Sequence, residues 1–150
     1  MLTAFDKALL NELQGNLPLC ARPFAALAER LGAQEEEVLG RLKALRAEGY
    51  LRRIGPFFDS EKLGYCGTLI ALKVKDGCME AVARAVNAYA GTTHNYEREG
   101  AYNLWFTLLT PSLEAQARCI EEIRQLPGVV ELLRLDARRK YKVNVQFRLE

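Results

Sequence analysis

The spacing of apolar residues changes character near residue 60, and that change decides which folds are open to this chain. Up to Gly49 they recur at helical intervals: Phe5, Leu9 and Leu13, then Phe24, Leu27, Ala28 and Leu31, then Val38, Leu42 and Leu45. Beyond Tyr65 the pattern alternates between strand and helix, predicting a strand over 65–74, a helix over 79–89, a hairpin over 92–110, a helix over 111–125 and a strand over 129–135. The order βαββαβ is that of a ferredoxin-like sandwich, in which two helices cover one face of a four-stranded antiparallel sheet. The other face is left without a cover from this chain.

The first part is punctuated as a helix-turn-helix. Thr3 with Asp6 three positions on resembles a capping box, Pro23 suits a first helical position, and Gly32 and Gly49 suit helix ends. Residues 50–54, Gly55-Pro56 and residues 57–59 read as a two-stranded wing. The expected fold class is therefore α+β: a winged helix-turn-helix over 1–60, then a ferredoxin-like domain over 61–150. The latter ends in a strand-like tail over 140–148, where Tyr141, Val143, Val145 and Phe147 alternate with polar residues and invite pairing with a sheet edge, its own or a partner's.

A hydrophobic fraction of 49% with 27% charged residues is that of a globular chain. No run approaches the length of a membrane span and no basic-then-apolar leader opens the sequence, so a cytoplasmic protein with no membrane partner is expected. Cys20, Cys66, Cys78 and Cys119 are widely spaced and lack metal-ligand spacing, which predicts reduced thiols. Residues 1–60 hold eight basic and eight acidic side chains, so the net charge of +2 arises later, where Arg134, Arg138, Arg139, Lys140 and Lys142 face a single Asp136.

The sole histidine and sole tryptophan fall on the predicted hairpin. Strand alternation puts His94, Tyr96 and Arg98 on one face and Asn95, Glu97 and Glu99 on the other. A two-residue loop near Glu99-Gly100-Ala101 would bring Asn103, Trp105 and Thr107 onto the His94 face, leaving Leu104, Phe106 and Leu108 to cover a core.

These strings carry a resemblance. The architecture is similar to the Lrp/AsnC family. Arg52-Arg53-Ile54-Gly55, His94-Asn95-Tyr96-Glu97-Arg98, Tyr102-Asn103-Leu104-Trp105-Phe106-Thr107 and Arg139-Lys140-Tyr141-Lys142-Val143, in that order, resemble the siroheme decarboxylases of haem and haem d1 biosynthesis. The resemblance implies non-oxidative removal of two acetate carboxyl groups from siroheme, giving didecarboxysiroheme. It also implies a working unit of two related subunits, a paralogue or a second copy, joined through the ferredoxin-like domains. The iron tetrapyrrole, siroheme or haem, is then the ligand, and no further cofactor is needed because the macrocycle can take up electrons.

The residue types fit that chemistry. Loss of carbon dioxide requires a proton donor, and an unperturbed imidazole titrates at about 6.5, which makes His94 the candidate acid. An axial iron ligand is the alternative role for His94. Arginine's planar fork grips carboxylates, so Arg98, Arg53, Arg52 and Arg139, with Lys140, are candidate binders, Arg53 being favoured over its neighbour. Tyr96, Tyr102 and Asn103 can orient the acid or the substrate, and Trp105 can lie against the macrocycle.

The rival readings are a transcription regulator sensing a small molecule or haem, and a non-catalytic subunit of a decarboxylase heterodimer. The third helix opens with Gln34-Glu35-Glu36-Glu37, carboxylates where DNA phosphates call for cations. Specific DNA binding is therefore not expected, although Arg41, Lys43 and Arg46 follow on the same helix.

Overall fold

The computed structural model describes residues 1–15, 17–56, 58–143 and 146–150. The chain forms two compact units, one of residues 1–56 with 142–150 and the other of residues 57–141. The expected boundary at residue 60 thus falls four residues later than the division of contacts, and the tail belongs with the N-terminal unit.

Three helices build that unit: α1 (Ala4–Gly15), α2 (Pro23–Leu31) and α3 (Glu35–Ala47). Their apolar stripes meet in a core of Leu9, Leu27, Ala28, Val38, Leu42 and Leu45, all buried. Helix α1 starts where its sequence says it should. The Asp6 N–H donates to Thr3 Oγ1 at 3.1 Å while the Thr3 N–H donates to Asp6 Oδ2 at 2.8 Å, a reciprocal cap with Asp in the usual Glu place. Gly32, at φ 64°, closes α2 in the left-handed conformation that a side chain would strain.

Asp6 does more than cap. It is fully buried, and Arg41 of α3 donates to it from Nε at 2.8 Å and from Nη2 at 2.9 Å. The Arg41 bonds outweigh the cost of burial and hold the Asp6 carboxyl far below the usual carboxylate range.

The expected wing is not seen among the described residues: 51–56, 58 and 59 carry no strand pairing, and Phe57 lies outside them. Pro56 has no N–H to give to a ladder, and the Leu51 N–H donates to Leu45 O at 3.1 Å, folding the segment back on the end of α3. The strand expected over 140–148 is likewise not seen among the described residues, which exclude Asn144 and Val145. Its last part lies along α1. Gln14 accepts the Phe147 N–H at 2.6 Å and donates to Phe147 O at 2.9 Å; Asn11 accepts the Leu149 N–H at 3.1 Å and donates to Leu149 O at 3.0 Å. Lys7 adds a bond to the Glu150 carbonyl. Side-chain amides have taken the place of a neighbouring strand.

The second unit runs β1 (Cys66–Val74), α4 (Met79–Asn87), β2 (Thr92–Glu97), β3 (Leu104–Thr110), α5 (Leu113–Arg124) and β4 (Val129–Leu135). The sheet is antiparallel in the order β2-β3-β1-β4, as the βαββαβ pattern predicts. One face is closed by α4 and α5 over Ile70, Leu72, Val82, Val86, Leu104, Phe106, Leu108, Ile120, Ile123 and Leu132. Helix α5 begins two residues after the expected Pro111, because Ser112 caps it by accepting the Ala115 N–H at 3.1 Å. Gly91 leads into β2 where a Cβ would stand 1.8 Å from Leu109 O, so only glycine admits this approach. The opposite face is open. Leu69, Leu133 and Leu135 lie on it 39–40% exposed, on the side away from α4 and α5.

Asp6→Ala removes the cap and the Arg41 bonds together and is expected to lower the unfolding free energy by about 2 kcal/mol. Urea denaturation followed by circular dichroism measures it. Because the folded carboxyl ionises below its unfolded value, its contribution is complete above about pH 4 and disappears as the pH falls through the lowered value. The wild-type chain should therefore lose more stability on acidification than the variant does.

Candidate active site on the open sheet face

The candidate site lies on the uncovered face of the sheet, at the β2 end. Leu69, His94, Tyr96, Arg98, Trp105 and Thr107 line an open depression of about 390 Å³. This size is within the range of small-molecule sites, although an open floor buries only one side of a ligand.

Strand alternation explains half of this wall. On β3, Leu104, Phe106 and Leu108 are buried toward the helices while Trp105 and Thr107 stand half-buried on the other side. On β1, the buried Ile70 and the exposed Leu69 divide the two faces in the same way. Strand β2 is less regular. Thr93 pairs with Thr107 and Tyr96 with Trp105, so His94 and Asn95 together oppose the single residue Phe106, a β-bulge. His94 has φ 53°, the left-handed conformation, and no other non-glycine residue among those described has a positive φ. Histidine tolerates this conformation better than most residues, at a cost of order 1–3 kcal/mol. The bulge lets His94 and Tyr96 both join the open face, and Asn95 turns the opposite way, donating to Ala83 O at 3.3 Å and Asn87 Oδ1 at 2.9 Å on α4.

His94, Tyr96 and Arg98 form the row that alternation suggests. The imidazole and phenol rings lie 6.4 Å apart between centroids, tilted by 37°, and the Arg98 guanidinium carbon sits 5.8 Å from the Tyr96 ring centre. All three residues are exposed. Trp105 is fixed beside them by its Nε1–H, which donates to Tyr102 O at 2.7 Å.

The other expected residues stand elsewhere. The connection between β2 and β3 spans residues 98–103 rather than two, and Asn103 does not join the Trp105 face. Its Oδ1 accepts the Val74 N–H at 2.8 Å and its Nδ2 donates to Val74 O at 3.0 Å, so the side chain imitates a strand and finishes the β1–β3 ladder. The Tyr102 hydroxyl donates to Glu131 Oε2 at 2.8 Å. That bond raises the Tyr102 pKa, and with Lys73 it lowers that of Glu131. Lys140 pairs with Glu61, and Arg139 lies 5.1 Å from the ring of its neighbour Tyr141; neither lines the depression. Arg52 and Arg53 are exposed in the N-terminal unit. Leu69 was missed in the sequence, although the β1 alternation marks it. The four cysteines are free thiols, and no cluster among the described residues has the makings of a metal site. No helix among them is long and apolar enough to cross a membrane.

This architecture is that of AsnC-type proteins. An AsnC family transcriptional regulator from Agrobacterium tumefaciens shares the fold at a TM-score of 0.80, with 15% identity over 97% of this chain and 96% of its own. Residues 62–142 match the AsnC-like ligand binding domain, and residues 6–52 match the siroheme decarboxylase NirDL-like HTH domain. The siroheme decarboxylase alpha subunit of Desulfovibrio desulfuricans is 44% identical over 98% of this chain and 84% of its own length. The chain belongs to the siroheme decarboxylase family. It is also similar to the siroheme decarboxylase NirDL, solved in complex with an iron-uroporphyrin III analogue, at a TM-score of 0.71 and 38% identity over 97% of this chain. Here it spans 48% of the longer protein.

If Asn103 is part of the sheet rather than of the site, Asn103→Ala should cost about 1–2 kcal/mol of stability through the exposed Val74 amide and carbonyl. Urea denaturation followed by circular dichroism measures the loss.

Proposed function

We propose that this chain is a subunit of a siroheme decarboxylase and that the open sheet face carries its tetrapyrrole site. The observation that carries this reading is the gathering of the only histidine with Arg98, Tyr96 and Trp105 on one uncovered wall, in a chain that matches named decarboxylase subunits along nearly its whole length.

In the reaction, the bond between an acetate methylene and its carboxyl carbon breaks and carbon dioxide leaves. The electron pair passes into the conjugated macrocycle, and a proton added at the methylene carbon completes a methyl group. Each acetate consumes one proton, with no net oxidation. His94, exposed at the rim of the depression, supplies that proton and recovers it from water. Tyr96, between His94 and Arg98, orients the acid. Arg98 grips the anionic periphery, best at a carboxylate that stays, because a cation paired with the departing one would stabilise the ground state more than the transition state. Trp105 and Leu69 offer an apolar floor to the ring face. Arg52, Arg53, Arg139 and Lys140 remain candidates for the outer carboxylates, whereas Tyr102 and Asn103 serve the sheet.

A second subunit, a paralogue or a copy of this chain, closes the site from above. The exposed Leu69, Leu133 and Leu135 give it an apolar surface to bury, and the depression needs a second wall to hold a macrocycle. The protein then works in the cytoplasm. A regulator is the weaker reading: α3 presents Glu36 and Glu37 to solvent, Arg22 pairs with Glu35, and Arg41 is drawn back onto Asp6.

Anaerobic incubation with siroheme, alone and with a paralogous subunit, followed by mass spectrometry, tests the reading through loss of carboxyl groups. His94→Ala is expected to slow turnover by about a hundredfold or more while leaving the visible spectrum of bound tetrapyrrole unchanged. A changed iron spectrum in that variant would assign His94 as the axial ligand instead. Salt-sensitive binding to one duplex sequence, without turnover in either assembly, would return the regulator.

A further inference from the structure

We propose that Asn95 is a positioning residue for His94: its amide, clamped on α4, holds the β2 bulge that presents the imidazole to the open sheet face. The proposal rests on reading His94 as the proton donor, and it adds what aims that donor.

Three observations converge. His94 occupies a left-handed backbone conformation, which a regular strand does not adopt. The β2–β3 register slips between Thr93 and Tyr96, the interval that contains both residues. Asn95, the next residue, bonds to Ala83 O and Asn87 Oδ1, although its own Oδ1 is buried without a partner among the described residues. Without the bulge, alternation from Thr93 would send Asn95 to the open face and His94 toward the helices. The anchor is firm because α4 is rooted in the core through the buried Val82 and Val86. The direction of the imidazole is thereby referred to the core rather than to the edge strand that carries it.

The chain has one histidine, so its imidazole Cε1–H gives a single nuclear magnetic resonance signal once any affinity tag is removed and this chain alone carries labelled histidine. In Asn95→Ala that signal should move and broaden. Turnover in the assembled enzyme should fall by about tenfold or more, because small misplacements of a reacting group are costly. The double variant Asn95→Ala/His94→Ala should be no slower than His94→Ala, since both changes remove one function. Asn87→Ala, which deletes one of the two anchoring bonds, should act in the same direction but less, and serves if Asn95→Ala fails to fold. An unmoved resonance, or losses that multiply in the double variant, would overturn the positioning role while leaving His94 in place. Wild-type turnover in His94→Ala would instead overturn the proton-donor reading, and the positioning proposal with it.

Discussion

The four-stranded sheet has two faces, and the helices of its own unit, α4 and α5, are both committed to the same side. That asymmetry governs the second unit. Ile70, Leu72, Leu104, Phe106 and Leu108 are sealed under α4 and α5, and the alternating residues of the same strands are delivered to the opposite surface. Burial of the first set is the main stabilising term and is close to proportional to the apolar area withdrawn from water. The second set is then positioned at no extra cost, because the pleat that buries Phe106 also turns Trp105 and Thr107 outward. The candidate site uses a rigid floor that the core already maintains.

Much of this was legible because the signals are local. The spacing of Leu9, Val38 or Ile123 reports a helix face within a few turns, Thr3 with Asp6 and Gly32 mark ends through bonds to residues four positions away or fewer, and Pro23 marks one through its own ring. What was missed depends on partners distant in sequence. Asn103 reads as a site residue on the His94 face until Val74 lies beside it, and the tail reads as a strand until Asn11 and Gln14 satisfy its backbone. The expected wing has turn residues in the right places but no ladder among the described residues. The row of His94, Tyr96 and Arg98 was expected from simple alternation, and it is there, yet through a bulge that alternation does not contain. Single-sequence patterns specify faces well and register poorly.

The same frame serves regulators. At 15% identity and a TM-score of 0.80, the Agrobacterium tumefaciens regulator shares the architecture and little else, and architecture by itself assigns no activity. In α3, carboxylates occupy the first turn, where they favour the helix dipole, and Arg41 is turned inward by Asp6. The core stripe of Val38, Leu42 and Leu45 closes the three-helix unit whatever the helix presents to solvent.

The hold of α1 on the tail has a consequence of its own. Asn11 and Gln14 each meet both the amide and the carbonyl of one main-chain residue, so the grip reads the peptide unit and ignores what hangs from it. Divergence should therefore be lopsided: the letters at 147 and 149 can drift, proline excepted, while the two carboxamides on the helix admit few replacements. A seam of this kind stays attached while its visible chemistry is rewritten.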